Sequence, residues 1–263
     1  MANILVGGVQ RSGTTLAGLI LRAHSKCSYV EEPNGWNRYT INYLNDAFNG
    51  YKMTEFTQYA QTIIKDIQDG KLPPAKMVFC YRDRVPTVAS MLKLNWVTPH
   101  LAGDELRRAV KCLLDSPFKD ELKGCMSMPY DTHAHIIGTA TVCAKMYFLA
   151  EWSVLGDVYA LSYEKLTENP EEEVRKLDEF LSMDYEDVQI NFQKKFQNFT
   201  MHGTEGANKI TTASKDKWKE VFGEKEVQEI LEMEERLCNL AEDYFAKNVD
   251  RIRNFECYHE QMD

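Results

Sequence analysis

The chain has 263 residues, 44% hydrophobic and 27% charged, with 14 Gly and 8 Pro, an ordinary soluble composition that excludes a disordered, collagenous or coiled-coil protein. A chain this long buries roughly three-quarters of its unfolded surface, so one core needs no covalent staples. No linker interrupts the pattern, and a single domain over residues 1–263 is the expectation. With 31 Lys+Arg against 40 Asp+Glu the net charge is −9, which argues against nucleic acid or an anionic membrane as partner. A polyanionic ligand would have to be met by a focused pocket.

In chain order, Ile4-Leu5-Val6 reads as a strand that starts at once, without the basic region and long apolar run of a signal peptide. Thr14 to Ala23 is a helix, with Leu16, Leu19 and Ile20 at helical spacing, and Cys27 to Val30 is a short second strand. Residues 36–69 look helical and aromatic-rich until Gly70 and Pro73-Pro74 break them. Met77-Val-Phe-Cys-Tyr81 is a near-continuous apolar run, as expected of a strand buried on both faces, and a helix from about Val85 to Leu94 follows. Residues 96–132 are the least regular, read as a helix at 104–114 and then a long loop of the kind that contacts substrates. A long helix covers Ala134 to Leu155, a buried strand Asp157 to Ser162, a helix Glu171 to Leu181 opened by Asn169-Pro170, and a charged helix about Glu224 to Ala246. Strands alternating with helices predict an α/β fold, a P-loop-type parallel sheet flanked by helices.

Seven cysteines, at 27, 80, 112, 125, 143, 238 and 257, form no C-x-x-C pair and read mostly as small buried hydrophobes. No apolar stretch approaches the ~18 residues of a membrane span. These features predict a reduced, cytoplasmic protein without a membrane partner; the oligomeric state, homo-oligomer included, is left open.

The strongest chemical signal is Gly7-Gly8-Val9-Gln10-Arg11-Ser12-Gly13-Thr14-Thr15, between a strand and a helix. Gly8 and Gly13 keep the five-residue offset of a phosphate-binding loop, in which glycines let backbone N–H groups converge and the helix N-terminus adds positive potential. Thr14 and Thr15 add hydroxyl donors, and Ser12 belongs to the same candidate cofactor-binding set. A nucleotide triphosphatase carries Lys after the second Gly, where this chain has Thr14. Its cation is Arg11, within the loop, which disfavours Mg²⁺–ATP and suits a forked grip on phosphate or sulfate.

This loop resembles the 5′-phosphosulfate loop of sulfotransferases that use 3′-phosphoadenylyl sulfate (PAPS), most nearly the tyrosylprotein type, from which it differs at Gln10. Three further patches, Tyr-Arg-Asp83 through Ser90, Ser-Tyr163-Glu-Lys-Leu and Ser214-Lys-Asp-Lys-Trp218, follow in that family's order. The resemblance implies a sulfotransferase fold, PAPS as sulfuryl donor, PAP as product and no metal. It implies that Arg82 and Ser90 hold the 3′-phosphate, that Tyr163, read as ending the Ala-Leu-Ser strand, contacts the nucleotide, and that Lys217, with Lys215 as competitor and Ser214 as further donor, reaches a cofactor phosphate. Where the family often has an Arg four residues after the Ser, this chain has Leu94, with Lys93 beside it.

Sulfuryl transfer also needs a group that takes the acceptor proton and charge stabilisation at the leaving phosphate. Arg11 suits the latter. Glu31-Glu32 matches the acidic pair of the tyrosylprotein type in offset from the loop, which makes Glu32 the expected base. The alternative pattern of a catalytic His upstream of the Arg-Asp strand is missing, since no His lies between His24 and His100. The Arg that follows the acidic pair in the tyrosylprotein type is replaced by Pro33-Asn34, and its transition-state Lys has only Lys71 and Lys76 as weak counterparts. His133-Ala-His135 has a metal-like spacing without a third ligand and is read as a helix-start or acceptor-pocket feature. A small-molecule acceptor, neutral or cationic and of secondary metabolism, is expected rather than protein tyrosine. The rival readings are a P-loop kinase or NTPase and a non-catalytic PAP-binding protein.

Overall fold

The first strand, β1 (Ala2–Gly8), occupies the centre of a five-stranded, all-parallel sheet in the order β2–β3–β1–β4–β5. Its neighbours are β2 (Cys27–Glu31), β3 (Phe48–Lys52), β4 (Ala75–Tyr81) and β5 (Val158–Ser162). The structure is a computed structural model and describes residues 2–31, 48–52, 65–196, 210–212 and 215–254. Parallel strands cannot be joined by tight turns: α1 (Thr14–Ala23) carries the chain from β1 to β2, and α2 (Arg84–Lys93), α3 (Leu101–Cys112), α4 (Pro117–Met126) and α5 (Tyr130–Leu155) carry it from β4 to β5, after which come α6 (Tyr163–Glu168), α7 (Pro170–Leu181) and α8 (Glu224–Arg253).

Side chains alternate across each strand, and both faces are covered. Leu5, Met77 and Phe79 join a core built with α2 to α5 and α8, whereas Ile4, Val6, Val78 and Cys80 pack against α1 and α7. That two-sided burial is why β1 and β4 read as continuous apolar runs. From β1 the chain runs outward through α1 to β2 on one side of the sheet, and later fills β4 and β5 on the other. The sheet therefore changes direction beside β1, and ligands of open α/β sheets bind where such a reversal separates the carboxyl ends of adjacent strands.

Three expectations are corrected. The region expected to be helical over 36–69 contains β3, inserted between β2 and β1. The strand has no β-branched run to announce it, and its Gly50 is required by packing, because a Cβ there would stand 2.6 Å from the Tyr29 ring. The long loop expected after residue 114 contains α4, with Pro117 in its first turn, the Ser116 side chain accepting from Lys119 N–H at 3.2 Å, and Phe118, Leu122 and Cys125 buried. Pro here starts the helix. Tyr163, expected to end a strand, opens α6 after Ser162 caps it. Among the described residues no helix is long and apolar enough to cross a membrane.

Candidate active site

The loop after β1 is shaped by its contact with β4. Gly8 lies in register with Cys80 and has φ +141°, and a Cβ on it would come within 2.2 Å of the Cys80 carbonyl oxygen. Gly13, with φ +92°, precedes α1, and a Cβ there would press to 2.6 Å on the Tyr163 ring. Both positions need glycine for conformation and for space. Val9 N–H donates to Cys80 O at 3.2 Å, closing the loop onto β4. Ser12 serves the loop itself: its N–H donates to Val9 O, and its buried hydroxyl lies 2.5 Å from Val9 O and 2.8 Å from Cys80 O. The ladder of α1 begins with Ala17 N–H to Gly13 O, so the N–H groups of Thr14, Thr15 and Leu16 have no carbonyl inside the helix. The first turn itself carries no acidic residue. Thr14 is buried and Thr15 half-buried.

Around this turn the chain gathers cations from distant segments. Arg11 stands in the left-handed region at φ +67°, its Nε donating to Ser90 Oγ in α2 at 3.1 Å and its guanidinium 5.8 Å from the centre of the Trp96 ring. Arg82, one residue past β4 and 7% exposed, lies 4.5 Å from the centre of the Tyr163 ring, its Nε 3.9 Å from Glu164 Oε1. Burial, and after it the charge of Arg82, holds the Arg11 pKa below its ordinary value. Burial does the same to Arg82, against the opposing influence of Tyr163, Glu164 and Asp83. Arginine keeps its proton at any working pH, so the physical meaning is a positive potential that an anion would relieve.

Two small cavities flank Arg82. One, about 70 Å³, is lined by Arg82, Ser90, Lys93, Lys217 and Trp218; the other, about 130 Å³, by Arg82, Tyr163, Thr167, Lys215 and Trp218 among others. Each is the size of a chemical group; whole-ligand sites run to roughly 300–1,000 Å³. Lys217 therefore shares a wall with Ser90, while the Lys215 ammonium is engaged by Glu168 at 2.7 Å. Lys93 stands on the same wall as Lys217 and pairs with Glu220 at 2.8 Å.

Thus Gly8, Arg11, Ser12, Gly13, Thr14, Thr15, Arg82, Ser90, Tyr163, Lys215 and Lys217 come together from the ends of β1, β4 and β5 and the turn before α8. Glu32 and Ser214 lie outside the described residues, and Glu31 is the last residue of β2. Lys71 pairs with Asp66 and Asp69, and Lys76 donates to the Phe180 carbonyl, so neither turns toward the loop. His133 and His135 line a separate cleft of about 570 Å³ between α5 and α8, with His135 Nε2 2.7 Å from Glu229 Oε2. Sequence reasoning missed Trp96, Glu105 and Lys145, which surround the loop from α5 and the α2–α3 segment; only Gln10, the odd residue of the loop, hinted at them.

Residues 2–253 match the sulfotransferase domain family. The chain belongs to it. Solved structures agree at the level of fold. The sulfotransferase domain of the curacin biosynthetic pathway superposes with TM-score 0.54 at 13% identity, over 86% of this chain and 95% of that one. The sulfotransferase domain of the Synechococcus PCC 7002 olefin synthase gives 0.54 at 10% identity, over 90% and 94%. Mouse sulfotransferase SULT7A1, solved with PAP, gives 0.51 at 12% identity, over 88% and 82%. No curated protein matches the chain in sequence. Family and fold make this protein a sulfotransferase, with the α/β sulfotransferase architecture and sulfuryl transfer as its chemistry.

Away from the loop, this sulfotransferase carries two adjacent thiols, Cys143 in α5 and Cys238 in α8. The Cys143 thiol, then Arg84, brings the Cys238 pKa down to about 7 against the effect of burial. Burial pushes Cys112 and Cys125 up to about 11. Iodoacetamide at pH 7.5 is expected to label Cys238 first among the described cysteines, with a rate that rises through pH 7, and to spare Cys112 and Cys125. Peptide mass mapping checks the order; Cys125 labelling as fast as Cys238 would refute it.

Proposed function

We propose that this sulfotransferase takes its sulfuryl group from PAPS and passes it to the hydroxyl or amine of a small molecule, releasing PAP. The observation that carries the reading is the pair Arg11 and Arg82. They are two partly desolvated guanidiniums at the carboxyl ends of adjacent strands, with Ser90 bonded to Arg11 and lining a cavity beside Arg82, and a donor with phosphates at both ends of a nucleoside would satisfy them together. Arg11 and the first-turn N–H groups of α1 suit the 5′-phosphosulfate, and Arg82, Ser90 and Lys217 the 3′-phosphate. Tyr163 suits the nucleoside between them. Gly8 and Gly13 open the space, Thr14 and Thr15 offer hydroxyls, and Ser12 contributes by holding the loop. Lys215 lines the rim, and Ser214, its neighbour in sequence, is a further candidate donor. Glu32, following β2, is our choice of base.

The PAP bound to the mouse neighbour supports this reading. The likeness to the tyrosylprotein type stays part of the proposal, but Pro33-Asn34 after the acidic pair favours a small acceptor over a peptide. A reducing, cytoplasmic setting fits the six described cysteines, all free thiols.

The deciding experiment is thermal stabilisation followed by transfer of labelled sulfate. PAP is expected to raise the melting temperature without Mg²⁺, and labelled PAPS to modify acceptors in a small-molecule extract. Stronger stabilisation by Mg²⁺–ATP than by PAP would overturn the assignment, and PAP binding without transfer to any acceptor would leave a binding protein.

Selectivity gives a second prediction. Adenosine 5′-phosphosulfate lacks the group assigned to Arg82 and Ser90. It is expected to bind about 10- to 100-fold more weakly than PAPS, the equivalent of ~1.5–3 kcal/mol for a charge-assisted contact. In an Arg82→Ala/Ser90→Ala variant the gap between the two nucleotides should shrink. Equal affinities in the wild type, measured by competition against PAP, would move the 3′-phosphate away from Arg82.

A further inference from the structure

A largely buried ionic chain, in which Lys145 and Gln10 are buried and Glu105 is half-buried, runs from α5 to the loop, and sulfuryl transfer as described makes no use of it. Lys145 of α5, 6% exposed, places Nζ 2.9 Å from Glu105 Oε2 in α3. Glu105 Oε1 accepts from Nε2 of Gln10, a loop residue that is also 6% exposed and whose own Oε1 has no hydrogen-bond partner among the described residues. Buried ion pairs seldom add net stability, because desolvation offsets their attraction and apolar residues of similar volume do as well. Their best-attested use is to select one conformation.

The residue next to Gln10 needs such selection. Arg11 is a non-glycine residue at φ +67°, a backbone state with a steric cost that persists only where its surroundings over-determine it. Those surroundings hold three successive loop residues from three directions. Gln10 is held by Glu105 of α3, Arg11 by Ser90 of α2, and Ser12 by the Val9 and Cys80 carbonyls. Ser90 and the carbonyls are local to the sheet end, whereas Glu105 is itself paired, among the described residues, with Lys145 from α5.

We propose that Lys145 and Glu105 are positioning residues that act through the Gln10 side chain to hold the left-handed bend at Arg11, and so aim the Arg11 guanidinium at its anion. This deepens the reading of the site given above and rests on it for the identity of the anion. The pair touches no reacting atom. Its charges cancel, so it braces the loop without competing with Arg11 and Arg82 for a phosphate or sulfate.

The test removes both charges at once, leaving no buried ion unpaired. Glu105→Leu/Lys145→Met is expected to melt within a few degrees of wild type. It should bind PAP about 10-fold more weakly and exchange the backbone amides of residues 10–13 about 10-fold faster, with those of β1 and β4 unchanged. A merely structural pair would instead loosen the strands with the loop, or neither. Wild-type PAP affinity and wild-type loop exchange in the double variant would overturn the proposal. If that variant does not fold, Gln10→Leu, which cuts the link and keeps the ion pair, must show the same local loosening; wild-type behaviour there overturns the proposal equally. Wild-type protein that fails to bind PAP would sink the donor assignment instead, and the exchange of residues 10–13 would still decide the brace.

Discussion

Glu32→Gln is expected to lower kcat by ~10²–10⁴ on a hydroxyl acceptor, the usual contribution of a positioned base, with PAP affinity within a few-fold of wild type. Gln keeps the size and hydrogen-bonding capacity of Glu but cannot take a proton. The sign of the pH effect follows. A carboxylate base works only when ionised, so the wild-type rate falls as pH drops through its pKa, and that acidic limb should flatten in Glu32→Gln. The choice rests on sequence order: β2 pairs with β3 in parallel register up to Glu31, and Glu32 is the residue that follows. Glu31→Gln should do much less. An amine that is already free at the working pH asks little of a base, so the measurement belongs on an alcohol or phenol. Near-normal turnover there, or a larger loss from His133→Ala or His135→Ala, would move the base off Glu32.

Arg11→Ala is expected to reduce sulfate transfer by roughly 10²-fold or more, because the donor nearest the leaving phosphate stabilises charge that grows only as the bond breaks. Arg82→Ala should act mainly on binding, weakening PAP by about 1.5–3 kcal/mol, since a 3′-phosphate carries the same charge throughout the reaction. A counter-effect sharpens the comparison. Arg11 sits partly desolvated beside Arg82, so its removal relieves a like-charge interaction. The ligand-free Arg11→Ala protein should therefore be at least as stable as wild type while losing activity, the trade expected at a functional site. Steady-state kinetics and melting curves on the same preparations check both halves. Arg11→Ala turning over like wild type would place the leaving phosphate elsewhere.

The loop was legible from sequence because its requirements are local. Gly8 and Gly13 occupy positive φ, and strand, turn and helix follow without interruption. β1 and β4 were legible because two-sided burial demands continuous apolar runs, whereas β5, expected to be buried, is an edge strand with Ala160 exposed and only Leu161 and Ser162 buried. β3 was not, since Phe-Asn-Gly-Tyr-Lys has no strand signature of its own and is a strand because β1 and β2 leave a slot between them. The start of α4 was in fact written in Ser116-Pro117, a cap followed by a first-turn proline, and was lost by reading proline only as a breaker.

By itself, then, the sequence determined the α/β class, the glycine-rich loop after β1 with Arg11 inside it, and the order of the patches that resemble sulfotransferases, all properties of segments a few residues long. Only the tertiary structure decided which of those segments meet. Gly8 and Cys80 are in register because β1 and β4 pair, and that pairing carries Arg82 to the loop and α2 brings Ser90 onto Arg11. The Gln10–Glu105–Lys145 chain spans three elements and leaves in the sequence only an unexplained Gln. The physical reason is the range of the forces. Backbone conformation and hydrophobic periodicity are written between near neighbours, whereas the partner of a buried charge is whichever residue the packing of sheet and helices brings within a few ångströms.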